Sequence, residues 1–349
     1  MITNTCYQLG QIFRGIFVFL EKIVKLPPMT RILTGIQPSG ELHIGNYFGA
    51  IKPMLEYQND PNNEMFFFIA DLHALTSLKN PAKFREYSKN AILDWLALGL
   101  DPAKSLFYRQ SNVPAHTELF WYLLCLTPLG MLERAHSFKD KKAKGLEANA
   151  GLFTYPMLMA ADILLYSADK VPVGKDQKQH VEMSRDIAQK FNHTFGETFV
   201  LPEPDIQENV QTIPGLDGQK MSKSYGNTIP IFADEKTLRK KIMSIRTESK
   251  NLGEPLDPET CNVFAFHKLF ENPNLENLRE KYLNGEIGYG DSKKQLFELV
   301  WNYFAEARAR RENFAGNWDE VEKIMQKGAQ KAREISQAKL DEVRERVGV

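Results

Sequence analysis

Short apolar runs alternate with helical stretches over the first two thirds of the chain, and that rhythm constrains the fold more than any other feature. Residues 31–36, 66–70, 106–110 and 170–174 read as buried strands, with Pro81–Leu98 and residues 117–126 among the helices between them. Strands alternating with helices predict an α/β fold built on a doubly wound parallel sheet. Asn80 with Pro81 makes a good helix start and Gly99 a stop, whereas Pro53 should end or kink the helix that begins near His43. Past residue 224 the pattern is all helical, with helices expected at 234–245, 263–270, 274–284, 292–314 and 318–346 and no further strand. Phe264, Phe266, Phe270 and Tyr303 on those helices read as core.

The 349 residues carry 44 basic and 44 acidic side chains, so a nucleic-acid partner has to be held by local patches rather than by a globally basic surface. Two patches stand out, 134–144 (RAHSFKDKKAK) and 236–250 (KTLRKKIMSIRTESK), each equally readable as a solvated helix face. Cys6, Cys125 and Cys261 are far apart and form no C-x-x-C pair, which argues for a reducing compartment and against a zinc ribbon or disulfide framework. No H-E-x-x-H or similar cluster suggests a protein-held metal. In residues 1–28 the apolar run 12–20 is broken by Arg14, is too short to span a bilayer and precedes no A-x-A-like cleavage site, so neither membrane insertion nor secretion is expected. That stretch is either an upstream-extended reading frame or a non-essential amphipathic extension.

Two segments carry the chemistry. The first follows the opening strand: a Gln37, Pro38, Ser39, Gly40 turn hands the chain to a helix start at His43, Ile44, Gly45, Asn46. Unpaired N–H groups at such a start hold phosphate, and His43 and Asn46, three apart, share one face. Gly45 and Gly49 leave a strip along which a flat adenine can approach the backbone, although a helix-packing glycine pair explains them as well. The second segment, Lys220, Met221, Ser222, Lys223, Ser224, follows the Gly- and Asp-rich stretch 214–218 and reads as a mobile loop whose lysines meet a transient negative charge. No Walker A spacing precedes it.

Between these segments, 151–166 (GLFTYPMLMAADILLY) reads as a helix with Pro156 in its first turn and with Met159, Asp162 and Tyr166 on one face. A carboxylate among apolar neighbours reads a ligand N–H and rejects a ring lacking one; an Asp paired inside the core is the competing explanation. After the strand at 170–174, Asp176 is placed at a helix N-cap with Gln179 completing a capping box.

The pairing of H-I-G-N with K-M-S-K-S resembles the signatures of class I aminoacyl-tRNA synthetases, with Asn46 where many members have a second histidine, as in the tryptophanyl and tyrosyl branch. The resemblance runs from about Met29 to the C-terminus, and 151–166 and 171–180 (VPVGKDQKQH) look like the tryptophanyl, bacterial-type members. It implies a Rossmann-like catalytic domain over 29–224 with a helical insertion at about 112–149 that forms part of a subunit contact, and an all-helical region over 225–349 that recognises the tRNA anticodon. It further implies formation of tryptophanyl-adenylate from L-tryptophan and ATP with substrate-bound Mg²⁺, transfer to tRNA(Trp), a homodimer, and a cytoplasmic location.

By this resemblance His43, Asn46, Gln37, Lys220 and Lys223 are catalytic. ATP contacts fall to Gln37, Pro38, Ser39, Gly45, Asn46, Gly174, Lys175, Asp176, Ile213, Lys220, Met221, Ser222, Lys223 and Ser224, and tryptophan contacts to Asp162, Tyr155, Met159, Gln177 and His73. Lys175 departs from the Glu that many tryptophanyl members carry there. A tyrosyl synthetase and a non-catalytic RNA-binding paralogue stay open as alternatives, while a nicotinamide-dependent dehydrogenase is disfavoured because no G-x-G-x-x-G opens a helix.

Overall fold

The computed structural model describes residues 29–135, 149–206, 213–251 and 253–349; the segment 1–28 and most of the 134–144 basic run lie outside them. Strands β1 (Thr30–Ile36), β2 (Asn63–Ile69), β3 (Ser105–Arg109), β4 (Lys170–Val173) and β5 (Glu203–Ile206) form one sheet in the order β3-β2-β1-β4-β5, every pairing parallel. The chain winds outward from β1 in one direction and then from β4 in the other, so the switch point lies between the carboxyl ends of β1 and β4. β5 escaped the sequence reading. Its residues E-P-D-I are mostly types depleted in strands, tolerated here because an edge strand makes one ladder only.

The described helices before β5 are α1 (Ile44–Asn46), α2 (Lys52–Asn59), α3 (Asp71–Ala74), α4 (Pro81–Leu98), α5 (Ala115–Leu126), α6 (Leu129–Glu133), α7 (Ala150–Leu164) and α8 (Lys178–Phe195). After it come α9 (Glu235–Met243), α10 (Asn262–Leu269), α11 (Leu275–Leu283), α12 (Tyr289–Tyr303), α13 (Ala305–Gly316) and α14 (Trp318–Val347). α4 is bounded as its sequence demands: Asn80 accepts from Ala82 and Lys83 N–H, Pro81 opens the helix, and Gly99 closes it at a φ of 119°.

Because side chains alternate along a strand, β2 feeds two cores at once. Met65, Phe67 and Ile69 enter one with α4 and the helices after β5, and Phe66 and Phe68 enter the other with α5, α7 and α8. Full burial of each such large side chain contributes about 1.5–3 kcal/mol. The C-terminal helix belongs to this body. At Gly328 α14 lies so close to β3 that a Cβ would stand 1.9 Å from the Phe107 carbonyl oxygen. Farther along, Arg344 grips both Glu118 oxygens at 2.8 Å.

Three expectations need correction. The helix foreseen at 292–314 starts earlier and is two helices, α12 and α13, broken at Phe304, whose ring is buried against Tyr47 and Phe270 at centroid distances of 5.1 and 6.0 Å. Pro53 does not end the helix begun at His43: α1 continues through a π-helical turn, Tyr47–Ile51, in which Lys52 N–H donates to the Tyr47 carbonyl, and Pro53 then sits in the first turn of α2, where no donor is needed. Phe264, Phe266 and Phe270 are core as expected, but Tyr303 is 39% exposed.

Candidate active site

Two adjoining cavities open at the switch point, of about 590 and 270 Å³, sharing walls from Thr34, Gly35, Gln37 and Gly174. Gly35 has to be glycine, since a Cβ would lie 2.6 Å from the Phe68 ring.

At the smaller cavity the two distant signature segments meet. Leu42 to Ile44 pairs with Ile229 to Ile231: Ile44 N–H donates to the Ile229 carbonyl at 3.0 Å and Ile231 N–H to that of Leu42 at 3.1 Å. This stitching, supplied by residues just past the lysine segment, draws that segment onto α1. Gly45 N–H approaches Met221 Sδ at 3.3 Å, and Lys223 Nζ donates to the Ser39 carbonyl at 2.9 Å. Gly45 is thus covered by Met221 rather than left bare for adenine, and a Cβ there would crowd both His43 and Met221. Gly49 does line the smaller cavity, with Ser39, Asn46 and Lys223.

His43 and Asn46 form a reciprocal cap. Asn46 N–H donates to His43 Nδ1 at 3.3 Å and His43 N–H to Asn46 Oδ1 at 3.1 Å. An accepting Nδ1 leaves the proton on Nε2. Burial, helped by the nearby Lys223 charge, lowers the His43 pKa to about 4, so the ring is a neutral donor at pH 7. Burial likewise lowers Lys223, against the raising influence of Asp94 and Glu41.

The lysine segment is braced at its base by Asn227, a buried residue that the sequence reading did not single out. Its Oδ1 accepts from Ser222 N–H at 2.8 Å, and its Nδ2 donates to Asp217 Oδ1 at 2.8 Å and to the Lys220 carbonyl at 3.2 Å. Ile213 and Met221 are buried beneath, whereas Lys220, Lys223 and Ser224 stay exposed. Pro38 is buried behind the turn.

The larger cavity ends on Asp162, which is 1% exposed. His116 Nδ1 at 2.6 Å and Gln110 Nε2 at 2.7 Å donate to its Oδ1, and His73 Nε2 at 2.7 Å meets its Oδ2. Burial alone would raise this carboxyl; the bonds and charges from His116 and His73 outweigh it and hold Asp162 below the usual carboxylate range. His73, Tyr155, Met159 and Gln177 line the same cavity, and Tyr155 OH bonds to His180 Nε2 at 2.5 Å.

Two local expectations fail here. α7 begins at Ala150, capped by Asn149, which puts Pro156 inside the helix instead of in its first turn. The N-cap of α8 is Gln177, not Asp176, and Gln179 bonds to the Arg134 carbonyl instead of completing a capping box. Asp176 folds back over Gly174, where a Cβ would lie 2.7 Å from its Oδ1, while it and Lys175 stay exposed. Among the described residues no group of three or more His, Cys, Asp or Glu side chains is placed to hold a metal ion, and no helix is long and apolar enough to cross a membrane.

The family model of the class I tRNA synthetases (W and Y) matches residues 28–305. The chain belongs to this family. It is 52% identical over 323 residues to the tryptophan–tRNA ligase of Fusobacterium nucleatum subsp. nucleatum, covering 92% of this chain and 98% of that relative. To the tryptophan–tRNA ligase of Rhodopirellula baltica it is 51% identical over 320 residues, 91% of this chain and 99% of the other. The crystal structure of tryptophanyl-tRNA synthetase from Campylobacter jejuni complexed with ADP and tryptophan superposes with a TM-score of 0.89 at 51% identity, over 92% of this chain and 100% of that one.

Gln110 and His116 of this synthetase were missed in the sequence. A signal existed for both. Gln110 follows the carboxyl end of β3, where ligands of such sheets gather, and His116 occupies the apolar stripe of α5 with Leu119 and Leu123.

Proposed function

We propose that this synthetase is a tryptophan–tRNA ligase: it joins L-tryptophan to ATP as tryptophanyl-adenylate and passes the aminoacyl group to tRNA(Trp). The observation that carries the reading is the docking of Lys223 on Ser39 beside a cavity continuous with the one that ends on buried Asp162. A phosphate-rich substrate suits the first half of that cleft. A nitrogen-bearing apolar ring suits the second. Extensive identity with tryptophan–tRNA ligases, and likeness to a relative holding ADP and tryptophan, support the pairing.

In the activation step a tryptophan carboxylate oxygen attacks the α-phosphorus, the bond from that phosphorus to the bridging oxygen breaks, and pyrophosphate leaves with the electron pair. An ionised carboxylate needs no general base, so positioning and charge stabilisation carry the rate. Gln37, Asn46 and the Nε2–H of neutral His43 orient the nucleotide, and Lys220 and Lys223 neutralise charge growing on pyrophosphate, whose Mg²⁺ arrives with ATP. Gly174, Asp176 and the 37–39 turn contact the rest of ATP. Asp162 accepts the indole N–H, His73, Tyr155 and Met159 pack the ring, and Gln177 holds the amino-acid backbone groups. A terminal ribose hydroxyl of tRNA then attacks the carbonyl and AMP departs. Residues 225–349 serve anticodon recognition, and the enzyme works as a homodimer in the cytoplasm.

Exchange of labelled pyrophosphate into ATP, run across the twenty amino acids, tests this. Exchange dependent on tryptophan alone is expected. Exchange driven by tyrosine, or none above background, overturns it.

A further inference from the structure

Asp162 is a carboxylate held by three donors, and their arrangement is lopsided. Oδ1 is bonded from behind by His116 and Gln110, both 0% exposed, while Oδ2 is bonded only by His73, which lines the larger cavity. A carboxylate offers about four acceptor sites, so the three bonds leave one, on the cavity side. Its terminal torsion is soft and would not by itself keep Oδ2 facing the ligand. His116 lines neither cavity. Its Nδ1 lies 2.6 Å from Asp162 Oδ1, an oxygen that only accepts, so the ring proton between them sits on Nδ1, and Nε2 is left to face Tyr166 OH at 3.2 Å and Tyr108 OH at 3.4 Å, both buried.

We infer that His116 is a positioning residue that aims Asp162 and thereby sets selection for a ring bearing an N–H. The inference rests on the reading of Asp162 as the indole acceptor. Selection of this kind follows from a polar group that cannot be satisfied otherwise: if Oδ1 is released, Asp162 turns, and the bond that distinguishes an N–H from its absence weakens. Tyr108 and Tyr166 are kept protonated by burial, which raises both, so neither places a negative charge beside His116 in the pH range of interest.

The test is selectivity, measured as the ratio of kcat/KM for tryptophan to that for its benzothiophene isostere, which has sulfur in place of the N–H, in pyrophosphate exchange. His116→Asn puts an amide donor near the Nδ1 position, and His116→Gln near Nε2. The H116Q ratio should fall by about tenfold or more through the tryptophan KM, while H116N stays within about threefold of the parent. His116→Leu should resemble H116Q; should it fail to fold, the two amide variants decide alone. Equal ratios in H116N, H116Q and the parent overturn the inference, as does an equal loss of selectivity in both variants or a loss that strikes both substrates alike. Asp162→Asn separates the two levels of argument. If that variant keeps the parental ratio, it is the assignment of Asp162 that fails, whatever the His116 variants do.

Discussion

The two ends of the cleft are built on opposite principles. At the Asp162 end the carboxylate is held by three short bonds, from His73 of α3, His116 of α5 and Gln110 just past β3, two of these side chains being fully buried. At the lysine end the charges ride on an exposed segment braced by Asn227 and Met221, and Lys223 makes its bonds to a single residue, Ser39. A group that must tell one ring from another works best when it cannot move. A group that answers charge appearing during reaction has to reach it, and a buried lysine would lose its proton first.

The strongest way to break this contrast is to remove the lysines. Lys223→Ala and Lys220→Ala should each slow adenylate formation by about ten- to a thousandfold, read in single-turnover assays, while tryptophan affinity shifts by no more than about threefold. A matched loss of tryptophan binding would mean that the two ends are not separate devices. Next in size, Asp162→Ala should reduce kcat/KM for tryptophan by about a hundredfold, with saturating tryptophan recovering most of the rate. An effect confined to kcat would reverse the roles.

How much of this contrast was legible in the sequence follows from the same physics. The lysine end announces itself, because its chemistry lies in contiguous residues on turns: Gln37 to Asn46 and Lys220 to Ser224. The alternation of strand and helix likewise gave four of the five strands, missing β5 because an edge strand owes more to its single partner than to its own composition. The Asp162 end is assembled from residues far apart in the chain. His116 and Gln110 reach Asp162 only through packing, and no local pattern announces three donors converging on one carboxylate. Asn227 is the same case on a smaller scale. Pro156 and Asp176 were misplaced by one helical turn and one residue, since Asn149 starts α7 earlier than its apolar pattern and Gly174 draws Asp176 back into a turn.

Asn227 sharpens the comparison from the other side, because it braces the lysine segment without touching the larger cavity. Asn227→Ala strands the Ser222 N–H and the Lys220 carbonyl, so it should cost about 1–3 kcal/mol locally and slow adenylate formation by about tenfold. Tryptophan binding followed by fluorescence should not change. A shift there comparable to the loss in rate would show that the brace reaches across the cleft.

The smallest effect is on stability, and it again divides the two ends. Burial lowers His43 to about 4 from an ordinary 6.5, and His267, buried under α12 with its Nε2 bonded to the Ser292 carbonyl, to about 4 as well. Between those values the unfolded chain binds protons that the folded one refuses, so stability is fully present above 6.5 and drains away as the pH falls toward 4. Asp162, held below the ordinary aspartate value of 3.8, binds its proton more readily when unfolded only at still lower pH, and so loses its contribution in a separate, more acidic window. Urea unfolding at pH 7, 5.5 and 4.5 should show the first loss, on the order of 1 kcal/mol per histidine, and His267→Asn should flatten the slope while lowering the plateau. A parent curve that is flat across that range would mean that His43 and His267 titrate in the folded enzyme as they do in the unfolded chain. The lowering that burial imposes on the His43 ring, and with it a donor at the helix start that stays neutral well below pH 6.5, would then have to be abandoned.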